Sequence, residues 1–214
     1  MALSKVNFNS LNLTPTASKT VVFNSNNNGI EAGDVGGALT LISTQTASSS
    51  STISFTSGID STYKEYIFKF FDIHPQTDDK HFHFNMSIDG GSNYNVTKTT
   101  TFHEGYHKED GSDSGLQYNT YVDLAQSTDF QPLAYNVGGD SDESCSGTLH
   151  LFNPSNTNFA KHYISRFNGY NSGNYSVDQF SAGYGNTTSA VNAIQFKFVS
   201  GNIDSGTIKL YGVS

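Results

Sequence analysis

The sequence predicts an all-β protein: a two-sheet antiparallel β-sandwich, jelly-roll-like, with an extended N-terminal arm. Three observations carry that expectation. Ser, Thr, Asn and Gly abound, with 16 Phe, 12 Tyr, no Trp and only 14% charged residues, a mixture that favours strands joined by polar turns. From about Ala38 onward, short segments alternate apolar with polar residues and are separated by turn signals. Two segments, "SGTLHLF" from Ser146 and "SGTIKLY" from Ser205, nearly repeat; since nothing else recurs at that interval, they read as equivalent places in two packed sheets.

Residues 1–37 hold little apolar material apart from "TVVF" and end in "NSNNNGIEAGDVGG", a linker composition. They are expected to form a docking arm outside the main fold. Val21, Val22 and Phe23 are its candidate partner-binding residues, too few for a core but suited to adding a strand to a neighbour's sheet edge. Residues 38–214 are expected to form the sandwich. "STISFTSGI" puts Ile53 and Phe55 on one face. "YKEYIFKFFDIH" puts Tyr66, Phe68 and Phe70 on one face and Ile67 and Phe71 on the other, which reads as a central strand covered on both sides. "KHFHFNMSIDGGSNYNV" sends Phe82, Phe84, Met86 and Ile88 inward, turns at Asp89 to Ser92, and returns through Tyr94 and Val96. Seven further strand-like segments follow, from "LQYNTYVDL" to "SGTIKLYGV".

The bulk numbers exclude several functions. The net charge is −8, and Arg166 is the sole arginine among 11 basic residues, so no nucleic-acid partner is expected. Cys145 stands alone, which rules out an intrachain disulfide. The N-terminus has no signal-like apolar run and no stretch approaches membrane-helix length, so no membrane insertion is expected.

Three spellings invite chemistry. "TTTFHEGYHKEDG" holds His103, Glu104 and His107 as H-E-x-x-H, which on a helix would let both imidazoles grip one zinc while the glutamate activates its water. Here Gly105 interrupts the motif, threonines precede it and no apolar stripe supports a helix, so a strand or loop is expected. His81 and His83 form H-x-H on one strand face, but Ser87 and Ile88 stand where a cupin needs its glutamate, so they read as a surface pair. An incidental metal at His81, His83, His103 or His107 stays open. The loop of Asp140, Asp142 and Glu143 fails the EF-hand pattern, with Cys145 at the glycine position and Leu151 at the glutamate position. Paired carboxylates of a glycosidase carry no local spelling. No catalytic residue and no cofactor are assigned, and no enzyme is expected.

The stretches "TLISTQTASSSSTISFTSGIDSTYKEYIFKFFDIHP" and "NTTSAVNAIQFKFVSGNIDSGTIKLYGVS", with the opening "MALSKV", resemble a group of virion structural proteins encoded by tailed phages of marine bacteria, especially cyanobacteria. The resemblance implies a non-enzymatic particle component, assembled in the host cytoplasm and located in the virion, with capsid or tail subunits as partners and a homotrimer as its oligomeric state. Two roles follow from it. The expected one is a head decoration or cement protein anchored through the arm, because one small domain on one arm lacks the long repetitive shaft of many fibres. The alternative is a tail fibre or receptor-binding adhesin that recognises host surface glycan through Tyr and Asn side chains, in which case an exposed aromatic groove is expected.

Overall fold

In the computed structural model, residues 20–23, 30–33 and 38–214 are described, and no helix occurs among them. The chain divides into two compact units, Met1–Ala38 and Leu39–Ser214.

In the first unit, β1 (Thr20–Phe23) pairs antiparallel with β2 (Ile30–Gly33), in a register that sets Val21 opposite Ala32 and Phe23 opposite Ile30. The edge offered by Val21, Val22 and Phe23 is thus taken up on one side by the chain itself. Val21 is 49% exposed and Val22 half-buried; the side chain of Phe23 lies outside the described residues.

The second unit is a β-sandwich. Its strands are β3 (Leu39–Ser50), β4 (Ile53–Phe55), β5 (Glu65–Pro75), β6 (Lys80–Ser87), β7 (Lys98–Lys108), β8 (Ser114–Tyr118), β9 (Gln131–Val137), β10 (Cys145–Phe152), β11 (Lys161–Asn171), β12 (Tyr175–Gly185), β13 (Ala193–Phe198) and β14 (Ile203–Val213). Eight form one sheet in the order β3-β14-β5-β10-β11-β12-β7-β8, and four form the other, β4-β13-β6-β9. The pairing is nested: β3 with β14, β4 with β13, β5 with β10 and β6 with β9, all antiparallel. The hairpins β7-β8 and β11-β12 interrupt this nest and widen the large sheet on one side.

Alternation drives the core. Phe68 and Phe70 from β5 meet Phe196 of β13 edge-on at 5.3 and 5.0 Å, and Phe167 of β11 lies 4.9 Å from Phe70. Each ring is almost wholly buried, stabilising the sandwich by roughly 1.5–3 kcal/mol apiece, with edge-to-face geometry adding to it. Ile53, Phe55, Tyr66, Phe82, Phe84 and Met86 are also buried, as the alternation predicts.

Three expectations need correction. Phe71 is 43% exposed: β5 is central within its sheet, but the sheet's outer face at Phe71 is open. Ile88 is 42% exposed, because β6 ends at Ser87 and the chain turns there; the Ser87 and Asp89 side chains bond each other and the Asp89 and Gly91 amides. The two near-repeats lie in one sheet, flanking β5 on either side, with Leu149 and Leu210 both opposite Phe68. Two strands that cover the same neighbour from opposite edges need the same inward and outward alternation, although, aligned on their shared Ser-Gly-Thr, the two segments stand two residues out of step along β5.

Candidate binding cleft

The H-E-x-x-H segment lies within β7, as a strand. His103 and His107 are exposed, whereas Glu104 is 4% exposed on the opposite face, so the glutamate and the imidazoles cannot act on one ion. His103 instead stacks on Phe180 at 5.0 Å, and Phe180 also carries the Arg166 guanidinium, itself paired with Asp178. Among the described residues no group of three or more His, Cys, Asp or Glu could hold a metal ion. The acidic loop closes on itself: the Asp140 amide donates to Glu143 Oε2 at 2.7 Å, and Glu143 is buried rather than solvated.

Glu104 faces something else. The small sheet ends at β9, which lies against β11 and β12, so β7 and β8 overhang that edge. Beneath the overhang is a cleft of about 200 Å³. Its walls are Glu104 and Tyr106 from β7, Gln117 from β8, Tyr135 and Asn136 from β9, Asn171 from the end of β11, Tyr175 from β12, and Asp113 from the turn before β8. The period of two places Glu104 and Tyr106 on one face of β7, and the register with β12 sets Val177 opposite Tyr106 at the cleft floor.

The polar groups are held in place. Glu104 Oε1 accepts from Gln117 Nε2 at 2.8 Å and from Asn119 Nδ2 at 3.2 Å, which leaves Oε2 to accept from a molecule in the cleft. Tyr175 donates its hydroxyl to Asp113 Oδ2 at 3.0 Å, and this bond, ahead of burial, raises its phenol pKa. Tyr106 and Tyr175 stand edge to face at 5.9 Å. Gly115 leaves room for the ring: a Cβ there would lie 2.7 Å from the Tyr106 hydroxyl and would push it aside. Tyr135 is fixed through its backbone: its N–H donates to Gln179 Oε1, and its carbonyl accepts from Gln179 Nε2 at 3.2 Å. The Gln179 amide therefore satisfies the free edge of β9 as a neighbouring strand would, and keeps that edge from pairing elsewhere.

His81 and His83 lie on the outer face of the small sheet, yet they are not the surface pair the sequence implied. The segment after β8 runs beside β7, with backbone bonds from Asn119 to Phe102, Thr100 to Leu124 and Ser127 to Lys98, and with the two histidines, which it leaves half-buried, it lines one depression. Beneath it, the wholly buried Lys98 donates Nζ to Asn85 Oδ1 at 2.6 Å and to the Val96 carbonyl at 2.8 Å, while Asn85 Nδ2 holds the Tyr94 and Thr128 carbonyls. Burial lowers the Lys98 pKa to about 7. Burial, then the charges of His81 and Lys197, lower that of His83 to about 3.

No sequence signal marked the cleft, whose residues come from five strands and one turn. No family model, no curated protein and no solved structure matches the chain.

Proposed function

We propose that this chain is a non-enzymatic component of a phage particle whose β-domain binds neutral sugar on the host surface, the tail-fibre or adhesin role rather than head decoration. The observation that carries this reading is the cleft under the overhanging sheet, where three tyrosine rings stand beside fixed carboxylates and amides. A sugar ring presents an apolar C–H face and an equatorial rim of hydroxyls. Tyr106, Tyr135 and Tyr175 offer apolar faces to the first, while Glu104, Asn136 and Asn171 offer acceptors and donors to the second. The cleft has room for one sugar unit and is smaller than a drug-sized pocket. Its carboxylates disfavour an anionic occupant. Glu104 and Asp113 each already accept bonds from neighbouring side chains, an arrangement for positioning rather than for the proton delivery a glycosidase needs.

The nested strand order supports a jelly roll enlarged by two hairpins, an architecture shared by viral capsid and lectin domains. Leu41, Phe71 and Ile164, all on the outer face of the large sheet and 43–52% exposed, favour contact with a further subunit, as the homotrimer or a decoration role would require.

The experiment has two parts. The full-length protein is applied to an array of neutral and acidic host polysaccharides, and a C-terminal label is located on intact particles by imaging. Binding to neutral glycans, lost in Tyr106→Ala, with label on the tail, is the expected result. Label spread over the head without glycan binding overturns the adhesin reading in favour of decoration, and absence from particles overturns the virion reading.

A further inference from the structure

We propose that the cleft continues past Tyr135 into a second subsite, so that the occupant is an oligosaccharide with one sugar unit on each side of that ring. This rests on the sugar-binding reading above and names its ligand class.

The second depression, about 370 Å³, is lined by His81, His83, Tyr121, Phe130 and Pro132, and it shares Tyr135 with the first. Tyr135 is built as a divider. Its ring lies flat on His81, with centroids 4.1 Å apart and planes 17° from parallel, while the Gln179 amide grips its backbone. The imidazole of His81 is fixed in turn by accepting the Asn136 N–H at Nδ1, 3.1 Å away. Two groups in the depression lack a partner that a ligand would supply. His83 Nε2 is the only buried side-chain nitrogen or oxygen among the described residues without a hydrogen bond, an arrangement that costs about 1–3 kcal/mol unless something fills it. Tyr121 is 92% exposed, a tyrosine held at the rim by its own N–H bond to Asn119 Oδ1 at 3.1 Å. The same Asn119 also braces Glu104, so one residue links the walls of the two depressions. Neutral imidazole at His83 exchanges bonds with a sugar hydroxyl in either tautomer, and the Tyr121 ring offers the second unit a stacking face.

The test titrates the full-length protein with glucose, galactose, mannose and N-acetylglucosamine, each as the mono-, di- and trisaccharide, by calorimetry. In the series that binds, the disaccharide is expected to bind roughly tenfold tighter than the monosaccharide. Tyr121→Ala and His83→Ala should each erase most of that gain while leaving monosaccharide affinity unchanged, which also shows that the variants are folded. Equal affinities for mono- and disaccharide, or a gain that survives both substitutions, overturns the second subsite and leaves the first intact. Failure of every sugar to bind the wild-type protein overturns the sugar-binding reading and the inference with it.

Discussion

Acid should destabilise the β-domain through His83 in a way that one substitution removes. The imidazole is neutral in the folded protein because burial, His81 and Lys197 all oppose its charging, which lowers its pKa from 6.5 to about 3. In the unfolded chain it protonates below about 6.5. Between those values the unfolded state binds the extra proton, so stability is intact above pH 6.5 and falls as pH drops toward 3. At pH 4.5 the group is about two units below its unfolded pKa and still neutral when folded. At about 1.36 kcal/mol per unit, that costs roughly 2.5 kcal/mol relative to pH 7. His83→Gln keeps a polar side chain and does not titrate. Urea unfolding of both proteins at pH 7 and 4.5 gives the comparison, with carboxylate contributions common to the two. The wild type should lose about 2.5 kcal/mol more than the variant over this interval. Parallel losses would refute the argument that His83 stays neutral in the folded domain.

Lys98 should show a pH dependence of the same sign in a higher window. Its folded pKa of about 7 lies below the usual lysine value of 10.5, so stability relative to Lys98→Met should rise by roughly 2 kcal/mol between pH 7 and 9, read by the same unfolding assay. Phe70→Ala, which removes a ring touching Phe82, Phe167 and Phe196, should cost about 3–5 kcal/mol by thermal or urea unfolding. Gly115→Val should displace the Tyr106 hydroxyl and abolish sugar binding at least tenfold, with a loss of stability under about 2 kcal/mol because β8 is an edge strand. Cys145 is buried, and burial raises its thiol pKa, so alkylation of the native protein at pH 8 should be far slower than in denaturant.

What the sequence disclosed follows from the range of the forces involved. Strand identity is local, so Tyr66, Phe68 and Phe70, or Phe82, Phe84 and Met86, declare their buried face by alternation alone. The same locality dismissed H-E-x-x-H, since Gly105 and the threonines before it hold no helix. Exposure of the outer face at Phe71 was not legible, because it depends on whether any element packs over that side of the sheet. Burial of His83 was not legible either: it depends on the segment from Asn119 to Phe130 crossing a strand far from it in sequence. The cleft was least legible of all. Glu104 and Tyr106 share a face by the period of two, but nothing local states that β9 stops short beneath them, or that Gln117, Tyr135 and Tyr175 arrive from three other strands.

On the proposed reading, the space between Tyr106, Tyr175 and Glu104 is a sugar site. A crystal structure of the full-length protein soaked with the tightest-binding oligosaccharide tests it most directly. The expected result is a sugar ring against a tyrosine face, with a hydroxyl within hydrogen-bonding distance of Glu104 Oε2. A sugar bound elsewhere on the domain, with this cleft holding only water, would contradict it.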